Sequence, residues 1–208
     1  MDLDKIISSR HSIRNYKNQD VNYKQIGELL EAARRAPSSG NIQNWRFIIV
    51  KDKKVRNRIA TSCLKQYWMN TAPVHIVICY DDRNIKDLFP RVYKEFSIQN
   101  TAIAAAFISL KAVDLKLATC IVSVFDKNAI EKALKLPTFL HPVIIMTVGY
   151  QWDKYKTTKR HPSEYLTYFE EFSYAAKRRN DSTAFPLERK FKEISDRIKR
   201  RAKDFKKK

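Results

Sequence analysis

The chain has 208 residues, 44% of them hydrophobic, which is enough for a sizeable core and too many for wholesale disorder. Its 41 Lys/Arg against 22 Asp/Glu give a formal charge of +19, a field that attracts phosphates, nucleotides and nucleic acids without specifying any of them. No apolar run reads as long enough for a bilayer span, and Cys63, Cys79, Cys120 and the four histidines show neither a disulfide framework nor metal-ligand spacing.

In chain order, a first helix is predicted over Leu3 to Arg10, with Ile6 and Ile7 facing inward. A second fits Tyr23 to Ala36, because Asn22 and Gln25 have the spacing of a capping box and Ile26, Leu29, Leu30, Ala33 and Ala36 keep helical period. Pro37 ends it. Phe47 to Val50 reads as a buried strand, and Asp52 as the cap of a helix carrying Val55, Ile59 and Cys63. The β-branched run Val74 to Tyr80 predicts a second strand. The longest helix is expected over Arg91 to Val113, small and apolar nearly all round, and so buried on several sides or at a subunit interface. A strand over Leu117 to Val122, a short helix over Asn128 to Leu134 and a strand over Val143 to Val148 complete an α/β or α+β domain. Gln151 to Pro162 reads as a polar, basic arm. Leu187, Phe191, Ile194, Ile198 and Phe205 mark an amphipathic C-terminal helix, and residues 177–208 hold fourteen Lys/Arg against five Asp/Glu, leaving +10 of the charge for the rest. The opening Met1-Asp2-Leu3-Asp4 has no basic segment leading into an apolar one, so we expect no secretory signal, reduced cysteines and a cytoplasmic location.

With three glycines only (Gly27, Gly40 and Gly149), neither a dinucleotide fingerprint nor a P-loop can be drawn. A phosphate held here must be gripped by side chains, mainly arginine forks. Two stretches suit that task. Arg10-His11-Ser12-Ile13-Arg14 packs two guanidiniums, an imidazole and a hydroxyl into five residues; Pro37-Ser38-Ser39-Gly40-Asn41 offers hydroxyls and an amide between a helix and a strand. Their plainer alternatives are cations complementing a helix dipole and an ordinary helix-to-strand turn.

These segments resemble the nitroreductase family of flavin enzymes. The likeness runs from about Leu3 to about Arg160, with its parts in the family's order: Arg10 to Arg14; Ala36-Pro37-Ser38-Ser39-Gly40-Asn41-Ile42-Gln43-Asn44-Trp45-Arg46-Phe47, the most specific match; Gln99-Asn100-Thr101-Ala102 in the long helix; Leu117 to Val122; and Gly149-Tyr150 followed by Lys159-Arg160. The resemblance implies an α+β fold, a mixed and mainly antiparallel sheet flanked by helices, over residues 1–162, with a basic helical extension over 163–208. It implies a homodimer with FMN at the subunit interface. Arg10, His11, Ser12 and Arg14 would hold the phosphate, ribityl chain and ring edge, joined on the phosphate by Lys159 and Arg160. Pro37, Ser38, Ser39 and Asn41 would reach the flavin from the other subunit, and a backbone N–H near Val122 or Ser123 would face the reactive ring nitrogen. The implied reaction is ping-pong: NADH or NADPH as donor, then a small-molecule acceptor such as a nitroaromatic or quinone, with no catalytic side chain and no metal.

The chain departs from the family pattern at His11 (often arginine), Asn44 (often proline), and Lys116, Ala118 and Ser123 (often glycine). Trp45 reads as a packing residue and Cys120 as structural, while Tyr67 and Trp68 suit either packing or stacking on a substrate. Dehalogenation, flavin cleavage or azoline oxidation on the same fold is an alternative chemistry. Docking of the basic tail on nucleic acid or an anionic membrane is the alternative from another class.

Overall fold

The computed structural model describes residues 2–153, 155, 158–162, 165–168 and 172. The chain divides into two compact units, Met1–Lys156 and Thr157–Lys208. In the second, Lys159 and Arg160 are exposed, Tyr165 N donates to the Pro162 carbonyl, and the rings of Tyr168 and Phe172 lie 4.3 Å apart. The amphipathic pattern from Leu187 to Phe205 lies outside the described residues.

The first unit is built on four strands: β1 (Trp45–Val50), β2 (Val74–Asp81), β3 (Ala118–Val122) and β4 (Leu140–Gly149). They form one sheet in the order β1-β2-β4-β3, antiparallel throughout, with Trp45 opposite Tyr80, His75 opposite Thr147 and Ala118 opposite Gly149. A parallel bridge from Ser12 to Thr119 adds the mixed element at the β3 edge. All eight residues of β2 are buried, which accounts for its largely apolar sequence: Val74, Ile76 and Ile78 enter one core, Val77 and Cys79 the other.

Helices cover both faces. On one lie α2 (Tyr23–Arg34) and the 22-residue α5 (Tyr93–Asp114), which pack on each other and share a core with Ile76, Ile144 and Met146. On the other lie α3 (Lys53–Ser62) and α6 (Lys127–Leu134), around Ile59, Ile130 and Ile145. The caps are local. Asn22 Oδ1 accepts from Gln25 N at 2.8 Å while Gln25 Oε1 accepts from Asn22 N, and Asp52 and Asp126 accept from Val55 N and Ala129 N. α5 meets the length and composition of a membrane span, contrary to the sequence reading; its row Ser97, Asn100, Thr101, Ala104, Ala105 and Ile108 is buried within the domain, so it serves as a core helix. All three cysteines are buried and free.

One expectation is corrected. In α1 (Leu3–Ser9) no residue is buried and Ile7 is 54% exposed: among the described residues α1 packs on α5 along one side only. The connection after β2, for which no element was predicted, forms α4 (Arg83–Leu88), with Ile85 buried and the Asp81 and Asp82 carboxylates clamped at its start.

Candidate functional site

The Arg10–Arg14 segment leaves α1 extended and docks along β3. Ile13 N donates to the Thr119 carbonyl at 3.0 Å, and the buried Ile13 side chain joins Tyr16, Ala72 and Ala118 in a small core. Tyr16 Oη donates to the Ile13 carbonyl at 2.6 Å and lies 2.7 Å from Thr147 Oγ1; burial raises its pKa. The chain then pairs with the end of β4, through Lys17 N to the Tyr150 carbonyl and Trp152 N to the Asn15 carbonyl. Gly149 is required at this crossing, since a Cβ there would stand 2.7 Å from Pro73 Cδ and 2.9 Å from Tyr16 Cδ1.

Fixed in this way, the segment presents Arg10, Ser12 and Arg14 around Cys120. Burial pushes the Cys120 thiol up, while Arg14, a hydrogen bond from Ser12 and Arg10 act in the opposite sense. Arg14 lies over the Trp68 ring, 5.7 Å from its centroid. Lys65, three residues before Trp68, is exposed with φ 57°. His11 faces elsewhere. Its Nδ1 donates to the Ser9 carbonyl at 2.9 Å, its ring stacks on Tyr155, and it lines a cavity of about 180 Å³ with Ser9, Lys116, Thr119 and Gln151. Lys116 has φ 57° directly after α5, a left-handed helix-terminating conformation that explains why glycine is frequent there. Val122 ends β3 buried, and Ser123 beyond it is exposed.

Among the described residues, Arg10 and Arg14 form no ion pair. Some cations of the unit are matched, such as Arg34 and Arg35 to Glu31 and Arg46 and Arg83 to Asp81, while others, Arg58 and Arg91 among them, have no ion pair among the described residues either; Arg10 and Arg14 stand out because both act on Cys120 from a segment docked on β3. Two adjacent unpaired guanidiniums fit a bound dianion such as a phosphate.

The second cluster sits at the opposite corner of the sheet, where the chain enters β1. Ser39 N and Oγ both donate to Asn100 Oδ1, at 2.9 and 3.2 Å. Ser38 Oγ accepts from Gln43 N, and Asn41 Oδ1 accepts from Gln43 Nε2. Gly40, Asn41 and Gln43 all have positive φ (56°, 54° and 49°), so the turn is tightly wound, and Pro37 and Asn41 are exposed at its surface. Behind it, the buried Asn44 joins Asn100, Ser97 and Asp81 in a network that the sequence reading did not foresee. The available signal was Asn44 itself, a departure from the frequent proline, together with Asn100 next to the apolar middle of the long helix.

The clusters lie roughly 14 Å apart across three strand spacings and roughly 20 Å apart along the strands. α5 gives the same measure: Asn100, at one cluster, and Val113, on the wall of the His11 cavity, are separated by about 20 Å of helix. One small ligand cannot touch both clusters of one chain. The Lys159-Arg160 pair belongs to the second unit.

Comparison with known proteins agrees with this architecture. The chain is similar to the FMN reductase [NAD(P)H] of Bacillus subtilis, 26% identical over 183 residues, covering 81% of this chain and 73% of that one. Its fold matches an FMN-dependent nitroreductase from Clostridium difficile R20291 (TM-score 0.69, 27% identity, 80% of this chain and 98% of the other). It also matches a nitroreductase family protein from Clostridium novyi NT (TM-score 0.68, 27% identity, 74% and 87%). The nitroreductase family model matches residues 7–68 and 60–150, which include both clusters and all four strands; the chain belongs to the nitroreductase family.

Proposed function

We propose that the protein is an FMN-dependent oxidoreductase that takes electrons from NADH or NADPH and passes them to a small-molecule acceptor of the nitroaromatic or quinone kind. The observation that carries this reading is the gathering of Arg10, Ser12 and Arg14 around Cys120 on a segment locked to β3, with no ion pair to either arginine among the described residues. Uncompensated guanidiniums held against a sheet edge are stabilised by an anionic ligand, and the phosphate of FMN supplies one. Ser12 adds a hydroxyl beside them, Trp68 an aromatic wall, and the end of β3 at Val122 and Ser123 runs on from the same edge. Lys159 and Arg160 are proposed to join the phosphate, with His11 contributing from the cavity side. When bound, FMN supplies the hydride chemistry, accepting from the nicotinamide and delivering to the acceptor. The chain's own residues bind and orient; none needs to move a proton.

The placement of the clusters supports a homodimer. Pro37, Ser38, Ser39 and Asn41 can complete the site only if they come from a second copy. α5 exposes Ile98, Ala102 and Ala106 in a row, and α1 beside it exposes Leu3 and Ile7, an apolar surface suited to that copy. The visible spectrum of the purified protein tests the function, before and after anaerobic addition of NADH or NADPH. Flavin bands that bleach are expected. Failure to take up FMN, or bands that survive both nucleotides, would overturn the reading. Reoxidation by nitroaromatics, quinones, halogenated phenols or dioxygen then ranks the acceptors.

A further inference from the structure

The loop that carries Ser38 to Asn41 is not held by its own backbone alone. From Ser39 a directed chain of donors and acceptors runs into the protein. Ser39 N and Oγ donate to Asn100 Oδ1; Asn100 Nδ2 donates to Asn44 Oδ1 at 3.0 Å; Asn44 Nδ2 donates to Ser97 Oγ at 2.9 Å and to the Asp81 carbonyl at 3.3 Å; Ser97 Oγ donates to the Tyr93 carbonyl at 2.6 Å. Asp81 N returns to the Asn44 carbonyl at 2.7 Å. Asn44, Ser97 and Asn100 are each at least 96% buried, so water cannot replace a missing partner. The order is strict. Both amides use oxygen toward the loop and nitrogen away from it, and a flip of either breaks two bonds.

We propose that Asn100 and Asn44 are positioning residues for the flavin. They hold the Ser39 turn in its wound conformation, so that it meets the partner subunit's FMN without first having to be ordered. This rests on the flavin reading above. The network reaches further, to α4. Asp81 is bonded through its backbone to Asn44 and through its carboxylate to Arg83 and Arg46; at the other end of α4 the Phe89 ring lies 3.3 Å from where a Cβ on Gly40 would stand. The Ser39 turn and the Asp81–Phe89 segment are therefore one braced unit. Neither asparagine touches the flavin; their effect passes through Ser39.

The test uses the full-length protein and three substitutions. Asn100→Leu keeps the branched shape, at a larger volume, and removes the acceptor; Asn44→Ala cuts the next link. FMN Kd, by fluorescence titration, is expected to rise at least tenfold in Asn100→Leu and at least threefold in Asn44→Ala, and amide exchange at Ser39 to quicken in both. Asn100→Asp is the conservative rescue. Its protonated carboxyl donates to Asn44 and accepts from Ser39 as the amide does, and its ionised form cannot donate. The charged groups nearest this network are Asp81, Arg46 and Arg83, which are bonded to one another. FMN affinity of Asn100→Asp is thus expected to approach the parent's in acid and to fall as pH rises, a profile that general loosening does not produce. Kd values within twofold of the parent in all three variants overturn the proposal, and should Asn100→Leu fail to fold, a flat pH profile in Asn100→Asp does so alone. If the parent itself takes up no FMN, the functional reading fails with it; if the parent binds and the variants bind equally, only the positioning role is lost.

Discussion

Two corners of the same sheet solve opposite problems. At the Asn44 corner every buried polar group has a partner: two amides, a hydroxyl and two backbone groups close on themselves within 3.3 Å. At the Arg10 corner the backbone is as firmly held, yet the charges have no ion pair among the described residues. A satisfied buried network adds rigidity and leaves no affinity to spare; an unpaired pair of cations does the reverse. The first corner therefore supplies shape and the second supplies attraction, and substitutions at the two should fail differently.

The largest effect is expected at the open corner. Arg10→Ala or Arg14→Ala should each weaken FMN retention by at least a hundredfold while leaving the thermal midpoint of the apoprotein nearly unchanged, Arg14→Ala losing only its contact over Trp68. Unchanged flavin content in both variants would remove the site assignment. Acid should act next, and through the sheet. His75 is fully buried on β2, with Nε2 donating to the Met69 carbonyl and Nδ1 unpartnered, and burial lowers its pKa to about 4. Its folded value lies below the unfolded 6.5, so the neutral form's stabilisation is complete above pH 6.5 and is lost as pH falls toward 4. That loss is about 1.4 kcal/mol per unit, roughly 3 kcal/mol in all. Denaturant titrations at stepped pH check it, and His75→Gln, which can still donate to Met69, should flatten the slope.

At the closed corner, Asn44→Ala should cost the apoprotein about 2 kcal/mol in urea unfolding, because it strands the Asn100 amide and the Asp81 carbonyl in a dry interior. A loss below half that value would show that the network is slack. The smallest effect is expected from Gly40→Ala, about 1 kcal/mol, from a left-handed φ of 56° and the approach to Phe89. It should alter FMN affinity more than stability, the opposite of Asn44→Ala.

Much of the fold was legible because the signals are local. The Asn22/Gln25 box and the Asp52 cap place helix starts within a residue, and the apolar run of β2 reports burial on both faces. α4 escaped because six residues bury one side chain, Ile85, too few for a period; its trace was Asp82 four residues before Lys86, an ion pair at 2.5 Å. The inward orientation expected of Ile7 failed for a different reason: apolar spacing shows that a face will be covered, not by what. At the site, residue types with charge announced themselves. The Asn44–Asn100 pair did not, since an amide gives no sign in sequence of which neighbour it will meet across 56 residues.

The diagonal placement of the two corners has a genetic consequence. In the proposed dimer each site draws its arginines from one copy and its turn from the other. A chain damaged only at Arg10 and a chain damaged only at the Ser39 turn would each form inactive homodimers. Expressed together they would pair so that both faults fall in one site, leaving the other whole. Two inactive alleles would thus restore activity to the mixed dimers, half of the pairs formed at random, with one working site in each. Alleles damaged at the same corner would never complement.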